Sequence, residues 1–317
     1  MSGGKTEDKP VKVIHDGFWA VHEAYSSLHT HLDEVRQFAE VTMRGLVALK
    51  DKRTDTGEAM SALGRLLLAN PGWDKDAEGT TAIAPAPARD ADTKTFMDAL
   101  GGRKDKEFVE KQEKAGFSPV YAQACISAWG FLESTVDDML VALIANDCTF
   151  LMLEDVAKIK ISIGQYETTT VTERVEFLVD SIQQSLNSKF KRGIQQFESV
   201  FEKLSLDGPL VEDLARTFIE FAAVRNALVH RRGRADRRFL EACPWLGLGI
   251  GDPVVVTEVM HRQYSAAAIA YAALIQERTA KRYAIDDDRL VKLVDRMTKT
   301  ALNYFEHARK ERGWKKA

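Results

Sequence analysis

Apolar positions recur at helical intervals along most of the chain. From Gly17 to about Lys50 they fall at Val35, Phe38, Val41, Leu46 and Leu49, and from Thr56 to Ala69 at Leu63, Leu66 and Leu67. That spacing predicts two N-terminal helices packed as a hairpin. Asn70-Pro71-Gly72-Trp73 breaks the second, and the Ala/Pro- and acid-rich stretch 76–93 reads as a flexible linker with Trp73 as an anchoring contact beside it. A highly charged helix is expected from about Thr93 to Ala115. After Pro119 comes the longest apolar helix, running through Ala124, Ala128, Trp129, Phe131, Leu132, Val136, Met139, Leu140, Leu143 and Ile144. Further helices are expected at about 150–160, 171–187 and 190–204, each with an apolar stripe that suits a bundle wall.

The next stripe is Leu210, Leu214, Phe218, Phe221 and Leu228, opened by Asp207-Gly208-Pro209 and closed by Gly233, so a helix is expected over 209–232. Leu246 to Gly251 alternates glycine with aliphatics, Asp252-Pro253 turns, and Val254 to Val259 follows. This predicts a small β-hairpin. Its Gly-x-Gly-x-Gly lacks the Gly-Lys-Ser/Thr and the Rossmann unit of a nucleotide loop. The chain then returns to helix from Tyr264 to about Arg282 and from Asp286 to about Arg312. Asp286-Asp287-Asp288 favours a helix N-terminus over chelation, because consecutive side chains diverge. The expected fold is therefore all-α, with 1–75 as an N-terminal helical region, 76–93 as the linker and 94–317 as the main helical domain.

Composition narrows the class. Of 317 residues 45% are hydrophobic and 29% charged, which allows one large core or two small ones. No apolar run nears the roughly 20 residues that span a bilayer, and Met1 to Lys5 opens no signal peptide, so a cytoplasmic protein with no membrane partner is expected. Cys125, Cys148 and Cys243 are far apart and form no Cys-x-x-Cys, which argues against structural zinc. His15, His22 and His29 fall seven apart, about 10.5 Å along a helix, too far for neighbours to share one ion. No Gly-x-Ser-x-Gly and no Walker loop appears either. A formal charge of −3 leaves nucleic-acid binding to a local patch.

That patch begins inside the 209–232 helix. Arg225, Asn226 and His230 are reactive side chains in an apolar setting, and Arg231, Arg232, Arg234, Arg237 and Arg238 follow, opposed by Asp236 and Glu241. Arginine forks suit phosphate. Asn226 and His230 are four apart and share a helix face. Arg225 and His230 are five apart, about 140° around and about 7.5 Å along the axis, so one helix does not easily bring both onto one small atom. Two copies crossing near an axis could, each supplying one of the pair.

Arg225-Asn226, three further residues and His230, near the C-terminal end of a helix, resemble the Arg-x4-to-6-His motif of HEPN domains. Trp129-Gly130-Phe131-Leu132-Glu133-Ser134 is similar to the first core helix of that family. The resemblance covers roughly residues 117–310 as a pattern and the six residues 225–230 as a motif. It implies a HEPN-like antiparallel helical bundle, usually a homodimer, with the motifs lining a cleft at the two-fold axis. It further implies a metal-independent endoribonuclease without cofactor, of the kind found in toxin–antitoxin and antiviral defence systems, that leaves a 2′,3′-cyclic phosphate. Arg225 and His230 would be the catalytic pair, Asn226 their polar neighbour, and Glu133 a carboxylate that orients one of them or, alternatively, a surface ion-pair partner. RNA would be the substrate, with an antitoxin or other regulatory protein as a possible partner. Family toxins that an antitoxin modifies often carry Tyr two residues after the His. Arg232 stands there, which puts that mode of regulation in doubt. The competing expectation is a HEPN-like protein that only dimerises or recruits a partner.

Overall fold

The computed structural model describes residues 11–51, 102–185 and 193–312. The expected helix at 56–69, the linker at 76–93 and Trp73 lie outside the described residues. The described chain is mostly helical. In chain order the helices are α1 (Val11–Asp51), α2 (Gly102–Lys114), α3 (Ser118–Asn146), α4 (Glu154–Ala157), α5 (Ile163–Thr168), α6 (Val171–Ser185), α7 (Gln195–Lys203), α8 (Glu212–His230), α9 (Arg237–Ala242), α10 (Glu258–Arg282) and α11 (Asp288–Glu311). Short 3-10 turns lie at Cys148–Met152 and Pro244–Leu246. No helix among the described residues is long and apolar enough to cross a membrane.

Two compact units divide the chain. One takes the first part of α1, to Val35, together with residues from Ala122 onward; the other takes Arg36 to Tyr121. The expected boundaries at 75 and 93 lie outside the described residues. The early part of α1 belongs with the later helices because it buries Phe18, Val21, Leu28 and Leu32. His31 stacks flat on Phe131 of α3 with ring centroids 4.6 Å apart, and His22 Nδ1 meets Gln276 Nε2 of α10 at 2.6 Å. His22 is thus engaged by an amide, and no group of three or more metal-ligating side chains exists among the described residues. In the smaller unit Arg36 and Arg44 both pair with Glu40, at 2.8 and 3.4 Å.

Helix α10 is the axis of the larger unit. It is buried on nearly every side, and its run of alanines allows neighbouring helices to approach closely. Some of its polar side chains bond across the core. Gln263 Nε2 donates to Thr217 Oγ1 at 3.1 Å, and Arg278 donates to Glu198 at 2.8 Å and to the carbonyls of Leu206 and Gly208. Helix α8 packs on α10 through the expected stripe: Phe221 stacks on Tyr264 at 4.7 Å and meets Trp129 edge-on, while Phe218 meets Tyr271 edge-on. Its last turn closes as the sequence suggests, with Gly233 at φ +69° donating its N–H to Ala227 O at 2.9 Å.

The expected hairpin is not present as strands among the described residues. Leu246 instead ends a 3-10 turn that Gly247 terminates at φ +64°, and Gly249 N–H is held by the Asp252 carboxylate at 2.7 Å. With the glycine arm curled into that turn, the valine arm pairs elsewhere. Arg234 and Pro253 form one isolated antiparallel bridge, flanked by Ala235 N–H to Asp252 O and Val254 N–H to Gly233 O. Val254 and Val256 are buried and tie this segment to the end of α8.

Candidate active site

The C-terminal half of α8 opens on a cleft of about 950 Å³ within the larger unit. Position by position, the helix turns Phe218, Phe221, Val224 and Ala227 inward to the core. Ile219, Ala222, Ala223 and Asn226 recur three and four apart and face the cleft. The two alanines leave the floor open. Asn226 and His230, one turn apart, sit on that face, and Arg225 reaches the cleft from its edge. Both members of the Arg225/His230 pair therefore line one cleft of one chain, because its opening spans the last two turns of α8.

Arg225 is held from two sides. Its Nη1 donates to Asn226 Oδ1 at 3.1 Å, and its Nη2 lies 3.9 Å from Glu133 Oε2 of α3. Its Nε is shut off from solvent and has no bonded partner. The pair with Glu133 is partly exposed on both sides, which makes it a weak ion pair in stability terms. His230 is the exposed last residue of α8, free to meet a ligand from solvent.

The arginines after His230 divide into two groups. Arg231 and Arg238 line the cleft. Arg231 Nε donates to Asp236 Oδ2 at 2.8 Å, and Asp236 also caps α9 by accepting from Phe239 N–H at 2.9 Å. The cap first, then the arginine, holds the Asp236 carboxyl below its ordinary range. Arg232, Arg234 and Arg237 do not line the cleft. Arg232 takes a left-handed backbone conformation at φ +55°, Arg234 donates to Gly251 O at 2.8 Å, and Arg237 pairs with Glu241 at 3.0 Å. A local basic run thus contributes two of its five arginines, since the reversal of the chain after α8 points successive residues in different directions.

The remaining polar lining includes Glu133, which the sequence reading names, and residues that it does not. Glu133 and Asp137 come from α3, Asp180 and Gln183 from α6, and Gln196 from α7. Gln183 Nε2 donates to Asp137 Oδ1 at 2.6 Å. Asp180 has no bonded partner among the described residues. The Nε2 of Gln196 is closed to solvent and likewise unbonded. The available signal for these residues was their place on the polar edge of amphipathic helices, which solvent-facing residues share.

Behind the cleft, the fully buried Glu220 accepts from Tyr264 Oη at 2.7 Å, Trp245 Nε1 at 2.8 Å and Arg312 Nη1 at 2.7 Å. Cys125 and Cys243 are buried as well, and burial, with the nearby Glu220 charge, pushes both thiols well up. Neither is an available nucleophile. Comparisons of the chain with protein-family models, with curated proteins and with solved structures return no match.

Proposed function

We propose that the chain is a metal-independent endoribonuclease of the HEPN type, with His230 and Arg225 as its catalytic pair. The observation that carries this reading is the convergence of Arg225, Asn226 and His230, with Arg231 and Arg238 beside them, on one open cleft. RNA brings its own nucleophile. His230 takes the proton from the ribose 2′-hydroxyl, or returns one to the departing 5′-oxygen. Arg225 steadies the charge that grows on the phosphate oxygens. The 2′-oxygen–phosphorus bond forms and the phosphorus–5′-oxygen bond breaks, leaving a 2′,3′-cyclic phosphate and a 5′-hydroxyl. Glu133 and Asn226 keep the Arg225 fork oriented before substrate arrives. The resemblance adds a homodimer, in which two such clefts adjoin, and a role as a toxin or defence effector.

The same Arg225 contacts favour a second reading, in which Arg225, Asn226 and Glu133 are a structural cluster of a non-catalytic dimerisation or partner-binding protein. Cleavage separates the two. Purified protein, incubated with mixed RNA in chelator, should yield 2′,3′-cyclic ends. His230→Ala and Arg225→Ala should each lose about 100-fold or more in rate while keeping the helical circular dichroism of the parent. A His230→Ala variant as active as the parent would sink the nuclease reading. Expression of parent and double variant in cells, with growth as the readout, tests the toxin role separately.

A further inference from the structure

Arg225 and Arg231 line the same cleft, and each meets a carboxylate of its own. Arg225 Nη2 lies 3.9 Å from Glu133 Oε2 on α3, whereas Arg231 Nε donates to Asp236 Oδ2 at 2.8 Å. The second contact is the firmer. The other oxygen of Asp236 accepts from Phe239 N–H at 2.9 Å, so the backbone of α9 fixes the carboxylate that the arginine meets. An exposed ion pair is weak when both members must be ordered, and here one member is already ordered by the cap. That backbone bond first, then Arg231 and Arg238, keeps the Asp236 carboxyl in its charged form. Arg231 is bound side-on through Nε, which leaves both terminal amino groups for a ligand. Arg238 lines the cleft beside it.

From this geometry we infer that Arg231, positioned by Asp236 and joined by Arg238, is a second phosphate subsite, so that the cleft takes an RNA strand by two successive phosphates; the inference rests on the nuclease reading for its substrate class. The scissile phosphate lies on Arg225 and its neighbour on Arg231. The two arginines are six positions apart, about 9 Å of rise on a helix, and are tied to different elements. They act as two separate cationic points and not as one clamp. Successive phosphates of an extended single strand are separated on that scale, and a positively charged groove follows such a backbone. Asp236 is a positioning residue: it touches no substrate and acts through the direction it gives Arg231. The preferred substrate therefore carries a phosphate next to the one that is cut.

Short RNA substrates, cleaved by the full chain, test this. A dinucleoside monophosphate offers only the scissile phosphate, and trinucleotides with a 2′-O-methyl group on one side or the other add a second linkage that cannot be cut. For the parent, kcat/KM should be about tenfold or more higher for one of the trinucleotides than for the dinucleoside. Arg231→Ala should erase that advantage. Asp236→Asn keeps the cap on α9, because asparagine caps as aspartate does, and removes the charge that holds Arg231. It should raise KM for the favoured trinucleotide about fivefold while lowering kcat far less, a split that mere loosening of the α8–α9 corner would not give. A fully 2′-O-methylated trinucleotide cannot be cleaved, so its binding reads the subsite apart from catalysis. The slope of its log affinity against log salt should fall in magnitude by about 0.7 in Arg231→Ala. Equal kcat/KM for the dinucleoside and both trinucleotides overturns the subsite. Tighter binding in Asp236→Asn overturns it too, since Asp236 would then be a brake on the arginine and not its support. Binding that Arg231→Ala weakens, without any RNA cleavage, would keep the subsite and remove the nuclease, whereas cleavage with no advantage from a second phosphate would do the reverse.

Discussion

Arg312 Nη1 donates to Glu220 Oε1 at 2.7 Å, so the residue that ends α11 holds a fully buried carboxylate on the helix carrying Arg225 and His230. Two neutral donors, Tyr264 and Trp245, join it in the shell, and Arg312 brings the positive charge. Arg312→Ala should therefore cost about 3 kcal/mol or more, because it strands a charge in the core. Exchanging both partners, Glu220→Gln with Arg312→Met, should recover most of that loss. Urea unfolding of the three proteins checks this, and a double variant no more stable than Arg312→Ala would show that the charge is not the cause.

Gly193 approaches the backbone of α8 closely. At φ +56°, a Cβ there would sit 3.0 Å from Ile219 N and 3.1 Å from Ile219 Cα, against backbone that cannot rotate away. Gly193→Ala should cost about 1 to 3 kcal/mol and shift the start of α7, and with it Gln196, away from the cleft. Gly247→Ala is the control: its φ is +64° but nothing lies within 4 Å, so only the backbone term of about 1 to 2 kcal/mol remains. Equal losses at the two sites would mean that the Ile219 contact is immaterial.

How much of this was legible in the sequence follows from what each signal depends on. The α8 helix, its stripe and its Gly233 stop were local periodicity and cap chemistry, and Phe218, Phe221 and Gly233 take the expected places. The hairpin at 246–259 failed because strand pattern does not name a partner: Val254 pairs with the chain after α8, and Asp252 curls the glycine arm. The helix expected at 150–160 is a 3-10 turn and a four-residue helix. On the site, Arg225, Asn226 and His230 were legible as reactive residues on one helix. The cleft lining from α6 and α7 was not, since it depends on how those helices pack around the cleft. Glu220 looked like any acid on an amphipathic helix; only its three partners, 25 to 92 residues away, explain its burial.

Arg232 holds a left-handed conformation at φ +55° and stays outside the cleft. Such a conformation costs a side-chain-bearing residue about 1 to 2 kcal/mol, while glycine loses about 0.5 to 1 kcal/mol through its freer unfolded chain. Arg232→Gly should therefore stabilise the protein by about 0.5 to 1 kcal/mol and leave RNA cleavage within about twofold of the parent. Arg238→Ala, in the cleft, should weaken cleavage without stabilising. If Arg232→Gly instead abolishes cleavage, the division of the basic run made by the cleft is wrong.

Stability should fall in alkali in two stages. Burial raises the thiols of Cys125 and Cys243 above their ordinary 9.0, and the phenols of Tyr264 and Tyr271 well above their ordinary 10.0. Each group is neutral when protonated, and its folded value lies above its unfolded one. Its contribution is therefore fully present below the ordinary value and is lost as pH rises through the raised one, because the unfolded chain gives up a proton that the folded chain keeps. The loss approaches about 1.4 kcal/mol per pH unit for each group. Denaturant titrations between about pH 8 and 11 should show a first decline beyond about 9 from the thiols and a steeper one beyond about 10 from the phenols. The Cys125→Ser, Cys243→Ser double variant should lose the first stage and keep the second. A flat stability profile across that range would refute the burial of these groups as the source of the raised values.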